Sequence, residues 1–387
     1  NGGEDDGYGN AVKIEGQSNW DDGSNQYIVT PSAVTFKNCI FTENGTADNL
    51  EEPPVIYIYN GVARFEGCVI KDNIVSKSNY SGEGAAIWMG SSQVVLSRTK
   101  ILDNELTAGD DANGGGIYMD WSEDNQLLVI NSIIAGNTVT PGTFNNSRGA
   151  GIMVRGGTAN IINSTITNNE NAGSNMQQDG AGIYVTGSGD ATVKLNLFNS
   201  ILYGNTPIEN QLYIDEGFED IDHYVSYSLL QGVDVNDFED GVFEANPEFA
   251  DSTYFLHERS PAIGAGEIEG EDVDGDEIYA PVDDILGNVR PNPADSNPDL
   301  GAYEHELAVT PYPSVVEDLT ATPLHRSVQL EWDYHEEEDV TSYIAYMGED
   351  SIAFTAMDTV VGRFSTRTTI DSLNNGTDYW FYVTAVD

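Results

Sequence analysis

The stretch Val129-Ile130-Asn131-Ser132-Ile133-Ile134-Ala135-Gly136-Asn137 decides the fold, because the chain says it again as Ile161-Ile162-Asn163-Ser164-Thr165-Ile166-Thr167-Asn168-Asn169. Working outward, the same apolar-x-apolar-x-Asn-small pattern closes on Asn44, Asn73, Asn104, Asn137, Asn169 and Asn205, at gaps of 29, 31, 33, 32 and 36 residues. Three residues before each Asn stand Phe41, Ile70, Ile101, Ile134, Ile166 and Leu202, and eight before stand Phe36, Phe65, Leu96, Val129, Ile161 and Leu197. Agreement at three positions over six copies establishes a repeat, and a period near thirty means stacked units.

A second element alternates with the first: Val55-Ile56-Tyr57-Ile58, Ala86-Ile87-Trp88-Met89, Gly116-Ile117-Tyr118-Met119, Gly151-Ile152-Met153-Val154 and Gly182-Ile183-Tyr184-Val185. Each reads as a short period-two strand, usually entered through glycine. Several short strands per unit with no helix between them predict a coil, each strand pairing in parallel with its counterpart one turn on. Ile56, Ile87, Ile117, Ile152 and Ile183 then form one buried column. The recurring Asn suits a corner, where its amide bonds the turns above and below. Cys39 and Cys68 share a register with Thr99, Ser132, Ser164 and Ser200, which predicts reduced interior thiols rather than a bridge.

Composition agrees with an all-β chain: 40 glycines, 20 Tyr and 13 Phe against six Met. Lys+Arg number 15 against 64 Asp+Glu, a net charge of −49 spread along the whole length, which repels a phosphate backbone and argues against nucleic acid as a partner. No apolar run is long enough to span a bilayer. The opening Asn1-Gly2-Gly3-Glu4 carries no signal peptide and predicts a processed or truncated start.

Over roughly residues 9–235 the repeat resembles the right-handed parallel β-helix of the pectate-lyase-like superfamily, which holds lyases, hydrolases, epimerases, adhesins and passive spacers. From 236 the period is lost. Asn246-Pro247-Glu248-Phe249, Ser260-Pro261-Ala262-Ile263-Gly264-Ala265-Gly266, Leu286-Gly287-Asn288-Val289-Arg290-Pro291 and Asp299-Leu300-Gly301-Ala302-Tyr303-Glu304 together resemble the closing region of bacterial choice-of-anchor Q surface proteins. That family usually has Asp where Gly264 stands. The segment 236–306 is expected to cover the open end of the last turn. A linker at 307–313, containing Thr310-Pro311-Tyr312-Pro313, leads into 314–387. There Val328-Gln329-Leu330-Glu331-Trp332 and the tract from Leu373 to Tyr379 resemble a fibronectin type III module, with Trp332 and Tyr379 buried and the last strand missing. The resemblance implies further chain after 387, with a secretion or anchoring signal, and an extracellular, surface location.

The sequence offers no recognisable catalytic centre. A lyase needs a cationic base beside a charge clamp, and Lys13, Arg64, Lys100, Arg148, Arg155 and Lys194 are scattered; the short motif of neighbouring Asp with a nearby His and Gly that hydrolases of this fold use is not found, and His223 stands alone. Counting outward from the Ile column, Tyr57, Trp88, Tyr118, Met153 and Tyr184 are expected to face solvent on consecutive turns, with Tyr59, Asp120 and Arg155 as polar neighbours. Such a strip suits contact with glycan or a surface protein, or serves simply as a stabilising ladder. Asp272, Asp274 and Asp276, with Asp283 further on, are candidate Ca²⁺ ligands; Glu277 stands where an EF-hand needs Gly, so an acidic turn without metal fits equally. The leading reading is a non-enzymatic adhesive or structural rod. A polysaccharide-active enzyme and a subunit of an extracellular assembly or homo-oligomer are the alternatives.

Overall fold

The computed structural model describes residues 11–21, 26–46, 54–77, 80–173, 179–187, 192–209, 211–215, 217–218, 220–308, 315–335, 340–349 and 353–386. The residues Asn1 to Glu4 and the Thr310–Pro313 part of the linker lie outside them. The chain forms two compact units, residues 1–309 and 310–387.

The first unit is a right-handed β-helix in which three parallel sheets run the length of the coil, each seven strands deep. The first sheet stacks Val12–Glu15, Ile56–Tyr59, Ile87–Gly90, Ile117–Met119, Ile152–Val154, Ile183–Val185 and Leu212–Ile214. The second runs from Ser32–Lys37 to Ile221–Ser226 and the third from Ile40–Thr42 to Leu229–Leu230. Register is exact in the sense that matters for packing: Ile56, Ile87, Ile117, Ile152 and Ile183 pair in succession and all are fully buried. Each buried Ile contributes roughly 1.5–3 kcal/mol, so the column is a principal source of stability.

The corners repeat their chemistry too. Asn73, Asn104, Asn137, Asn169 and Asn205 are buried, and each amide nitrogen Nδ2 donates to the Oδ1 of the next, at 2.7–2.9 Å, until Asn205 passes the chain to Gln211. Beside this ladder the backbone N–H of Thr99, Ser132, Ser164 and Ser200 donates to the hydroxyl one turn on. Cys39 and Cys68 begin that column as free thiols, with the Cys39 N–H donating to Cys68 Sγ at 3.4 Å.

The segment after 236 behaves differently from the expectation that it would cover the coil's end. Val233, Phe238 and Val242 do pack on the end of the core, and Phe243 bridges Leu229. The rest turns back along the outward face of the third sheet, where Leu300, Ala262 and Ile263 pack on Ile201, and Ala302, Tyr303 and Ile285 pack on Ile133 and Ala135. That face is apolar because small or aliphatic residues occupy outward positions of the later turns, so a flank as well as an end needs cover. Arg290 pins the seam: fully buried, it donates to Glu304 Oε2 at 2.7 Å and to Asn131 Oδ1 at 3.0 Å.

The second unit consists of two three-stranded antiparallel sheets, Thr320–Leu324, Ser327–Glu331 and Arg367–Asp371 against Thr355–Val361, Ser342–Gly348 and Trp380–Val386. Trp332, Leu330, Tyr343 and Ile370 form its core. Tyr379 is half-buried rather than buried, and its hydroxyl accepts the Asn374 N–H at 3.1 Å.

Candidate ligand-contact face

The outward residues of the first sheet form the ladder that the spacing predicts. Tyr57, Trp88, Tyr118, Met153, Tyr184 and Tyr213 pair in register turn by turn. They do not all face solvent. Tyr118, Met153 and Tyr184 are buried, and Tyr57 and Trp88 are half-buried. The correction has a backbone cause. The strands of Trp88, Tyr118, Met153 and Tyr184 are entered through glycines of positive φ, Gly84, Gly114, Gly149 and Gly180, which turn the preceding segment back toward the outward side chains. At Gly114 and Gly180 a Cβ would stand 2.7 Å from the Cβ of Tyr118 and Tyr184 respectively, a contact that glycine alone permits.

The entering segments form a small sheet of their own, Gly82–Glu83, Ala112–Asn113 and Ser147–Arg148, and bring charge to the ladder. Arg148 lies 5.6 Å from the centre of the Tyr184 ring. Arg155 donates to the Tyr118 hydroxyl at 2.6 Å, pairs with Glu83 at 3.6 Å and stacks 3.2 Å over Trp121. Burial, the larger cause, and the Glu83 charge push the Tyr118 hydroxyl well above its ordinary range, so it stays protonated; burial likewise lifts Tyr184 to about 12.

Among the described residues the cover thins toward the start of the coil. Tyr57 and Trp88 stack at 4.7 Å and 5°, and Tyr59 lies 6.4 Å from Trp88. Tyr59 and Trp121 are exposed, at 37% and 40%. Asp120 holds its own turn with one oxygen, Oδ1, which accepts the Ser122 N–H and the Asn125 amide at 3.0 Å each. Its other oxygen and the Trp88 ring edge each come within 2.6 Å of the point where a side chain at Gly90 would begin, so the two close over that buried glycine and leave no room for a Cβ. Burial, as the main cause, raises the Asp120 carboxyl above its usual range. Of the expected polar neighbours, Asp120 and Arg155 therefore meet the ladder. Trp121 and Glu83 belong to the same face and escaped the sequence reading; the signals for them are Trp121 following Asp120 and Glu83 preceding the entry glycine.

A family model described as the right handed beta helix region matches residues 5–204, more than half of the chain. The chain belongs to the right-handed β-helix family. No curated protein matches it. Among solved structures, the spore cortex lytic enzyme SleM of Clostridium perfringens shares 14% identity, over 53% of this chain and 74% of its own, at a TM-score of 0.18. A likeness that slight carries no argument about activity.

In this β-helix the four carboxylates singled out for calcium are not brought together. Asp272 accepts the backbone N–H of Asp274 and Asp276 at 2.9 and 3.0 Å. Asp274 takes both its oxygens to Lys194 Nζ, at 2.6 and 2.8 Å, and Asp283 pairs with Arg98 at 3.2 Å. Among the described residues no group of three or more His, Cys, Asp or Glu is placed to hold a metal ion, and no helix is long and apolar enough to cross a membrane.

Proposed function

We propose that this β-helix is a non-catalytic, secreted bacterial surface protein whose rod presents the uncovered end of the aromatic ladder to a glycan. The observation that carries the reading is the open end of the ladder, where exposed Tyr59 lies 6.4 Å from half-buried Trp88, together with exposed Trp121 stacked by Arg155, which pairs with Glu83. Aromatic surface of this kind holds the apolar face of a sugar ring, while the rim supplies hydrogen bonds to its hydroxyls. The surface location rests on the acidic composition and on the resemblance of 236–306 to choice-of-anchor Q proteins. A fibronectin type III character for the second unit is supported by the two antiparallel sheets around Trp332 and by the Tyr379 hydroxyl held from Asn374.

The test is a glycan array, with and without chelator, comparing the wild type with Tyr59→Ala/Trp88→Ala. Loss of binding at unchanged melting temperature supports the platform. Unchanged binding with a stability drop reduces the ladder to a structural device. One observation favours a polysaccharide-active reading: Asp120, a carboxyl raised by burial beside Arg155, is the kind of group that serves as an acid. Release of new reducing ends from any array ligand, abolished by Asp120→Asn, would establish it. The exposed Val282, Leu286 and Val289, at 80%, 63% and 67%, favour a place in a larger assembly, which sedimentation of wild type against Val282→Ser/Leu286→Ser resolves.

A further inference from the structure

The second unit carries an aromatic face that its own core does not use. On the strand Trp380–Val386 the inward positions Phe381, Val383 and Ala385 pack with Trp332 and Tyr343. Period two then puts Trp380 and Tyr382 on the outer face of the sheet. They are exposed, at 53% and 37%. The neighbouring strand Ser342–Gly348 sets Tyr346 opposite Tyr382 and Gly348 opposite Trp380. Tyr346 stacks on Tyr382 at 4.4 Å and 12°, and Phe354 meets Tyr382 edge-on at 4.8 Å and 73°. Trp380 has no such partner. Among the described residues no ring stacks on it, no cation lies over it, and the residue opposite has no side chain. The Tyr346 and Tyr382 hydroxyls likewise make no hydrogen bond to any described residue.

We propose that this face of the second unit is a binding site of its own and that its ligand is a neutral polysaccharide. A sugar ring laid on the Trp380 indole buries its apolar C–H face, and the two tyrosine hydroxyls stand free for the hydroxyls at the ring's edge. Side chains two residues apart on one strand stand about 7 Å apart, so Trp380 and the tyrosine pair reach neighbouring units of one chain. The site is ordered before the ligand arrives, because Tyr382 is held by Tyr346 and Phe354. An acidic chain finds no partner here. The unit has no lysine, and its three arginines are engaged or placed elsewhere: Arg367 pairs with Glu331 at 2.7 Å, Arg363 lies 5.0 Å from the centre of Phe364, and Arg326 sits in the turn between Leu324 and Ser327. The competing occupant of an exposed aromatic sheet is a second copy of the chain, which brings another −49 and is repelled. A neutral polymer meets no such barrier.

The experiment is calorimetric titration of the full chain with cellohexaose, mannohexaose, maltohexaose and hexagalacturonate. At least one neutral hexaose is expected to bind, and the galacturonate is not. Trp380→Ala is expected to weaken that binding at least about tenfold. Tyr382→Phe, which keeps the stacked ring and removes only the hydroxyl, is expected to weaken it about threefold at an unchanged melting temperature. Binding of no neutral hexaose overturns the inference, as does hexagalacturonate binding as tightly as they do. Neutral-hexaose binding identical in wild type and Trp380→Ala overturns it too, and its loss in Tyr59→Ala/Trp88→Ala would then assign the sugar to the ladder of the first unit. A dimer seen by sedimentation of the wild type and dissociated by Trp380→Ala gives the face to a second copy and likewise overturns the inference.

Discussion

Replacing Asn137 by alanine removes the middle rung of the corner ladder. The side chain is fully buried, and its Oδ1 accepts both the Asn104 N–H, at 3.1 Å, and the Asn104 amide, at 2.8 Å. Its Nδ2 donates to Ile101 O at 3.1 Å and to Asn169 Oδ1 at 2.9 Å. Alanine leaves two donors on Asn104 and the Ile101 carbonyl without these partners, while Asn169 Oδ1 keeps the Asn137 N–H. At about 1 kcal/mol or more for each group stranded away from water, the cost is about 3 kcal/mol. The same change at Asn44, half-buried in the first turn, removes donors to Thr42 O and Asn73 Oδ1 near solvent and should cost less than about 1 kcal/mol. Asn137→Asp tests the polarity of the rung: it keeps the acceptor but turns a carboxylate oxygen on Ile101 O and Asn169 Oδ1, so it should destabilise more at neutral than at acid pH. Urea midpoints rank the variants, and amide exchange reads the Asn104 N–H directly. Equal losses at positions 44 and 137, or undiminished protection of the Asn104 amide in Asn137→Ala, would refute the ladder as a source of stability.

Gly114→Ala should cost on the order of 2–3 kcal/mol, because its Cβ meets Tyr118 Cβ at 2.7 Å and Ile117 O at 2.8 Å on top of a φ of +72°. Gly275→Ala, at φ +79° with nothing within 4 Å, should cost about 1 kcal/mol, and equal urea shifts for the two variants would discount the contact. Burial, with the Glu304 charge second, raises Asp299 to about 8, so the folded chain keeps a proton that an unfolded Asp loses near pH 3.9. That contribution to stability is complete below about pH 4 and is lost as pH rises to about 8; melting curves of Asp299→Asn and wild type that stay parallel from pH 5 to 8 contradict it. Millimolar Ca²⁺ is expected to leave the melting temperature of the chain unchanged, since Lys194 and backbone amides occupy Asp274 and Asp272; a rise abolished by Asp272→Asn would reverse that reading.

The coil was legible because its interior is periodic. Ile56 through Ile183 recur in one register, and like must stack on like in a parallel coil, so the column and the Asn corner follow from spacing alone. The exposure of the ladder was not legible from the same signal. Period two tells that Tyr118 points away from the core, but whether it reaches water depends on the segment before its strand, and the sign of φ at Gly114 is not a matter of periodicity. The platform itself comes from a departure between copies. From the ladder strand to the next sheet, Ile56 to Val62, Ile87 to Gln93 and Ile152 to Thr158 each take six residues, whereas Ile117 to Gln126 takes nine, Leu212 to Asp222 ten and Ile183 to Lys194 eleven. The first of these longer turns holds Trp121, which receives Arg155, and is braced by Asp120 through Ser122 and Asn125. A repeat that buried and bonded every copy alike would have no reason to differ there. The insertion adds an exposed indole and a half-buried carboxylate beside Trp88, neither of which the coil needs for pairing or for its core. In a stacked architecture the agreement between copies specifies the rod, and the turns that depart from it carry the side chains that the rod itself does not need.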